Sequence, residues 1–179
     1  MAKALFLDRD GVINQEKEGS YIFSVAEFVL YEGALEALAA LSSQFDYLFV
    51  VTHQRGIGRG LMTEDDLQEI HQHLDRELRA AGGRIDGFYF APAVDRNDAY
   101  RKPNIGMGLA AKADFPDIDF DNSVMVGNNL SDMKFGKSLG MKTIFLYTTL
   151  PAFTSAHALI DEQFPSLQAF AQSCIGDNK

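Results

Sequence analysis

Apolar residues gather in short runs at 4–7, 47–51, 88–91, 124–126 and 143–147, each rich in β-branched or aromatic side chains and each followed by small or polar residues. Short runs without polar alternation are those of strands covered on both faces. Between them the spacing changes to helical steps. Leu35, Leu38 and Leu41 recur within 33–43, and Leu67, Ile70, Leu74 and Leu78 recur within 63–81, so each segment lays an apolar stripe along one helix face. The second opens with Thr63 before Glu64, Asp65 and Asp66 and stops at Gly82-Gly83. A hydroxyl there caps free N–H groups, the acids suit the positive helix end, and the glycines end the helix. This alternation predicts a doubly wound, Rossmann-like α/β fold, with a mostly parallel sheet of about five strands and helices on both faces. No repeat, linker or tail divides the chain, so a single domain over 1–179 is expected. Residues 14–32 form a long insertion between the first strand and first helix, placed to act as a small flap over a site.

Composition narrows the function classes. With 25 acidic against 16 basic residues the formal charge is −9, which argues against wrapping nucleic acid or an anionic membrane. Hydrophobic residues are 46% and charged residues 23%, enough apolar material for a core and too little bias for disorder. Cys174 is the single cysteine, so neither an internal disulfide nor a cysteine-rich zinc site can form. The apolar start at 4–7 is broken by Asp8, too short for a secretory core, and no run reaches the ~18 apolar residues of a membrane span. The expectation is a cytoplasmic protein, with a monomer favoured and no nucleic-acid or membrane partner.

Candidate chemistry sits after the strands. In open parallel sheets ligands collect outside the carboxyl ends of strands, where the first run meets Asp8-Arg9-Asp10-Gly11-Val12. Two carboxylates this close repel unless a cation compensates. A Mg²⁺ ion takes oxygen ligands and leaves positions for phosphate oxygens, so one carboxylate could act as nucleophile and the other pass a proton. The second run leads into Thr52-His53-Gln54, where a hydroxyl and backbone N–H groups can hold phosphate oxygens. Gly56-Ile57-Gly58-Arg59-Gly60 follows, but its spacing is not the dinucleotide fingerprint. Arg55 and Arg59 add cations near the same edge, suited to a second phosphate. Lys102, in Arg101-Lys102-Pro103, could neutralise a transferring phosphoryl group. The fourth run ends in Gly127-Asn128-Asn129-Leu130-Ser131-Asp132, offering amide and carboxylate oxygens to a metal. Each feature alone also fits an ordinary turn or helix cap; their coincidence at successive strand ends points to phosphoryl chemistry. His71 and His73 are two residues apart on a helix and do not face one ligand, and His157 reads as a surface residue.

In this order the four segments resemble the motifs of the haloacid dehalogenase superfamily of aspartate-nucleophile phosphatases. Asp8-Arg9-Asp10-Gly11-Val12-Ile13-Asn14, Gly19-Ser20-Tyr21, Val51-Thr52-His53-Gln54, the glycine loop at 56–60 and Arg101-Lys102-Pro103 with Gly106-Met107 are similar to its small, cap-less branch. That branch holds heptose 1,7-bisphosphate phosphatase and the histidinol-phosphatase domain, and the likeness runs over about residues 3–147. The resemblance implies Asp8 as nucleophile, Asp10 as general acid/base, and Thr52 and Lys102 on the phosphate. It also implies Mg²⁺ at Asp8 and the Asp10 carbonyl, with Asn128 and Asp132 as further metal ligands. His53, Gln54 and Arg101 would line the substrate, rimmed by Arg55 and Arg59. The implied activity is Mg²⁺-dependent hydrolysis of a small phosphorylated metabolite through an aspartyl-phosphate. A sugar bisphosphate is the first expectation and histidinol phosphate the alternative. Two departures stand out. Asn128 replaces the branch's metal-binding Asp, which keeps open a non-catalytic phosphate-ligand-binding or scaffold protein on the same fold. Residues 92–100 contain neither Cys nor His, so the branch's zinc loop cannot be built there and no structural zinc is expected.

Overall fold

The computed structural model describes residues 1–176, so the last three residues of the expected 1–179 domain lie outside the described residues. Six strands form one sheet: β1 (Ala4–Leu7), β2 (Tyr47–His53), β3 (Gly87–Ala91), β4 (Val124–Gly127), β5 (Lys142–Leu146) and β6 (Glu162–Phe164). Their order is β3-β2-β1-β4-β5-β6, and every pairing is parallel. The chain therefore winds outward in one direction from β1 to β3, then returns to the centre at β4 and winds the other way. Neighbouring β1 and β4 form the switch point at which such sheets open a crevice.

Alternation along each strand divides the interior. Leu5, Leu7, Leu48, Val50, Val126 and Ile144 share one core with helices α1 (Ala34–Gln44), α3 (Glu64–Ala80) and α6 (Leu167–Gly176). Ala4, Phe6, Phe49, Val51 and Met125 face the opposite core, covered by α4 (Gly106–Asp114) and α5 (Leu130–Ser138). Successive side chains of a strand point to opposite faces, so both must be apolar where helices cover both. On α5, a Cβ at Gly136 would stand 2.8 Å from Met125 Cβ and 2.8 Å from Thr143 Cγ2. Only glycine lets this helix lie so close to β4 and β5.

Thr63 caps α3 as expected, accepting from the Asp66 N–H at 3.1 Å while Asp66 accepts from the Thr63 N–H at 2.8 Å. The structure differs from the sequence reading at three places. A sixth strand exists, only three residues long, whose sequence Glu-Gln-Phe carries no apolar run. β2 continues two residues past the expected end at Val51, pairing Thr52 with Phe90 and His53 with Ala91. The stretch that read as a glycine loop opens as a one-turn helix, α2 (Arg55–Gly58). Among the described residues no helix is long and apolar enough to cross a membrane.

Candidate active site

β1 delivers Asp8 to the sheet edge, where its N–H still donates to the Val126 carbonyl at 3.0 Å. The chain then turns sharply, with the Val12 and Ile13 N–H groups both donating to the Arg9 carbonyl. Gly11 has φ +82°, and a Cβ there would stand 2.1 Å from Asn128 Nδ2. A side chain at position 11 is therefore excluded both by its backbone conformation and by the neighbouring amide.

Lys102 reaches this turn from the loop after β3 and is almost wholly buried. Its Nζ lies 3.0 Å from Asp8 Oδ1, 2.7 Å from Asp132 Oδ1 and 2.8 Å from the Val51 carbonyl. Three acceptors thus satisfy its three donors, the condition under which a buried ammonium is tolerated. Burial pushes the Asp8 carboxyl up to about 7; Lys102 pulls it down, opposed by the Asp132 and Asp10 charges. The two acids raise the Lys102 ammonium above its ordinary range despite its burial.

Asp10 points to the other side of the turn. Its Oδ1 accepts from Arg9 Nη2 at 2.8 Å and Asn14 Nδ2 at 2.9 Å, and its Oδ2 accepts from Gln54 Nε2 at 3.1 Å. Gln54 also donates to Thr52 Oγ1 at 3.0 Å. Asp10, Gln54 and Thr52 thus form one connected array across the ends of β1 and β2. Asp8, Asp10, His53, Gln54 and Arg55 line a cavity of about 190 Å³, together with Glu16 and Lys17 from segment 14–32. Lys102 and Thr52 lie buried behind it.

The remaining expected residues are distributed differently. Both oxygens of Asp132 are engaged, Oδ1 by Lys102 and Oδ2 by the N–H groups of Asn128 and Asn129 at 3.2 and 3.1 Å. That side chain is directed at the lysine and the helix start. Asn128 is fully buried; its Nδ2 donates to Thr149 Oγ1 at 2.8 Å and its Oδ1 accepts from Asn129 Nδ2 at 3.2 Å. Arg59 lies over the Tyr21 ring at 5.8 Å, and Arg101 donates to the Val94 carbonyl. Neither lines the cavity, so among the expected cations Arg55 alone does. Burial, then the Lys102, Arg101 and Arg55 charges, push His53 down to about 3, so its ring is neutral at physiological pH.

Asp8, the Asp10 carbonyl and Asn128 offer a hard oxygen set of the kind Mg²⁺ accepts.

Three participants were missed from sequence. Arg9 is fully buried although it lies between the two acids; its guanidinium rests 5.6 Å from the Phe28 ring, and Nη1 lies 3.2 Å from His71 Nε2. Arginine can only donate, so His71 accepts through Nε2 and carries its proton on Nδ1. Asn14 is also fully buried and tethers Asp10. Glu16 is the third; it lines the cavity beside Asp10, and burial, then the Asp10 charge, raise its carboxyl. Nothing in a lone Arg, Asn or Glu beside a motif signals which way its side chain turns.

His71 yields a pH prediction. Burial and the Arg9 charge push it down to about 3 from an ordinary 6.5. The unfolded chain therefore binds the extra proton between these values, and folding stability is lost as pH falls from 6.5 toward 3. The slope is at most about 1.4 kcal/mol per pH unit. Asp8, shifted upward, acts in the opposite sense, so the informative quantity is a difference between variants. Urea unfolding at pH 7, 6 and 5 should show wild type losing stability relative to His71→Gln, whose side-chain oxygen can still accept from Arg9. Parallel pH profiles would show that His71 does not titrate on unfolding.

Residues 3–164 match the family described as Polynucleotide kinase 3 phosphatase. The chain is 40% identical over 153 residues to the D-glycero-alpha-D-manno-heptose-1,7-bisphosphate 7-phosphatase of Burkholderia mallei, covering 80% of this chain and 79% of that one. It is 36% identical over 168 residues to the enzyme of the same name from Mycobacterium tuberculosis, covering 93% and 88%. Among solved structures, the D,D-heptose 1,7-bisphosphate phosphatase of B. bronchiseptica, complexed with magnesium and phosphate, superposes with a TM-score of 0.86. It is 28% identical and covers 98% of this chain and 99% of that one.

Proposed function

This chain belongs to the haloacid dehalogenase superfamily, in the family described as Polynucleotide kinase 3 phosphatase, and from that membership we propose that it hydrolyses a sugar bisphosphate through an aspartyl-phosphate on Asp8. The observation that carries the proposal is the Lys102 bridge. It fixes Asp8 Oδ1 at 3.0 Å while the same carboxylate lines the cavity, which presents a charge-compensated nucleophile to an incoming phosphate.

In the first half-reaction a carboxylate oxygen of Asp8 attacks phosphorus, and the bond from phosphorus to the sugar oxygen breaks. Asp10 gives its proton to that oxygen, so the sugar leaves as an alcohol. In the second, Asp10 takes a proton from water as the water attacks phosphorus, releasing inorganic phosphate and restoring Asp8. Gln54 and Arg9 orient Asp10 for both steps through the hydrogen bonds they make to it. Thr52 and Lys102 hold oxygens and charge on the transferring group. Mg²⁺, held by Asp8, the Asp10 carbonyl and Asn128, would supply positive charge that favours ionised Asp8 and draws electron density from the phosphoryl oxygens.

The second phosphate is assigned from the rim. Arg55 lines the cavity and can bind a distal anion; Lys17 lines it too, but its ammonium is paired with Glu27 at 2.8 Å, and His53, being neutral, suits a sugar hydroxyl. Wild-type protein should release phosphate fastest from sugar bisphosphates in a panel that includes sugar monophosphates and histidinol phosphate, and a chelator should stop it. A folded protein that releases phosphate from none of them overturns the proposal and favours a phosphate-binding role. Faster turnover of histidinol phosphate overturns the substrate class alone.

A further inference from the structure

Asp10 has to meet two different oxygens in turn, the leaving sugar oxygen and the attacking water, from a side chain that is 28% exposed. Its Oδ1 takes two hydrogen bonds from Arg9, one from Nη2 at 2.8 Å and one from Nε at 3.3 Å. A guanidinium is planar and carries its donors in a fixed fork, so whatever sets the plane of Arg9 also aims the edge that meets Asp10. The remaining nitrogen, Nη1, lies 3.2 Å from His71 Nε2. We propose that His71 is a positioning residue for the general acid/base, accepting from Arg9 and so fixing the guanidinium edge that directs the Asp10 carboxyl. This rests on the phosphatase reading above and adds a residue to it.

Three observations support this role. First, His71 stands apart from the reacting groups. It lines a separate cavity of about 520 Å³ between α3 and β3, shared with Phe88 and Phe90, and not the one that Asp8 and Asp10 line. Its influence on the reaction therefore passes through Arg9. Second, the ring is itself held. His71 is buried on α3 and stacks on Phe88 of β3, with centroids 4.4 Å apart and planes 17° from parallel. An acceptor fixed by both a helix and a strand can fix what donates to it. Third, the acceptor is neutral. A carboxylate at this position would compete with Asp10 for the guanidinium charge, and an apolar residue would leave Nη1 buried without a partner. A neutral imidazole satisfies that nitrogen and leaves the charge of Arg9 to Asp10. Gln54 and Asn14 also hold Asp10, so losing the His71 contact loosens the carboxyl without freeing it.

Leaving groups separate positioning from general damage. The ratio kcat/KM reports the steps up to formation of the aspartyl-phosphate, in which a sugar oxygen needs the proton of Asp10 and p-nitrophenolate leaves without one. It is measured for p-nitrophenyl phosphate and for the sugar bisphosphate that wild type hydrolyses fastest, in wild type, His71→Leu and His71→Gln, with urea unfolding of each. His71→Leu should lose about tenfold on the sugar bisphosphate and less than about twofold on the aryl phosphate. His71→Gln, whose side-chain oxygen can accept from Arg9, should return the sugar bisphosphate to within about threefold of wild type. His71→Asn, an amide one methylene too short, replaces His71→Leu in the comparison if the latter does not fold. Equal losses on the two substrates, no loss on either, or a glutamine variant as impaired as the leucine one overturns the inference and leaves the phosphatase reading intact. Wild type inactive on both substrates removes the inference together with that reading.

Discussion

Asp8→Asn is expected to lower phosphate release by at least about a thousand-fold while leaving the protein folded. The substitution keeps the shape of the side chain and an oxygen for Lys102, which now sits 3.0 Å from Asp8 Oδ1, but an amide is too weak a nucleophile to attack phosphorus. Stability should change by about 1 kcal/mol or less, because Lys102 retains Asp132 at 2.7 Å and the Val51 carbonyl at 2.8 Å, and one neutral hydrogen bond replaces a charged one. Phosphate release and urea unfolding on the same preparation separate the two effects. Turnover near wild type would exclude Asp8 as the nucleophile. Loss of turnover with loss of folding would instead mean that the carboxylate is structural.

Lys102→Met should have the largest effect on stability. The side chain fills a similar volume but leaves Asp8 and Asp132 facing each other without a counter-ion in a site where both are buried. Breaking a buried pair by removing one partner costs about 3–5 kcal/mol, because the charge left behind cannot be rehydrated. The double variant Lys102→Met/Asp132→Asn removes one of the two stranded charges and should recover part of that loss without recovering activity. Urea midpoints for the three proteins decide it. Equal stability of Lys102→Met and wild type would show that the lysine contributes to chemistry alone.

The sequence revealed the architecture where chemistry and burial coincide. Runs such as 4–7 and 124–126 are apolar because both faces are covered, and the polar residues that follow them mark the edge on which ligands collect. That suffices to gather Asp8, Thr52, Lys102 and Asn128 at one end of the sheet. What it could not supply was side-chain direction. Arg9 and Asp10 are adjacent, yet Arg9 turns into the core while Asp10 stays 28% exposed; composition treats both as charged turn residues. Asp132 reads as a candidate metal ligand because it is acidic and follows a strand. The helix it starts points its second oxygen back at the Asn128 and Asn129 N–H groups, a matter of local helix geometry. Arg59 and Arg101 illustrate the same limit, since a cation near the motif in sequence can be held by a ring or a carbonyl away from the cavity. β6 was missed because three residues at a sheet edge need no apolar pattern to pair.

Arg9 also bears on how this protein tolerates change. Its guanidinium is sealed under the turn, gripping Asp10 on one side and His71 on the other with the Phe28 ring against it. A lysine cannot reproduce that two-sided grip with a single ammonium, and a neutral residue would leave a void beneath the motif. In a saturation screen scored on turnover, position 9 would therefore resemble its two acidic neighbours in intolerance, although no atom of Arg9 takes part in the reaction. The motif is thus constrained from two directions at once, its odd member by the interior and its flanking members by the substrate, so loss of function there does not by itself identify a residue that touches phosphate.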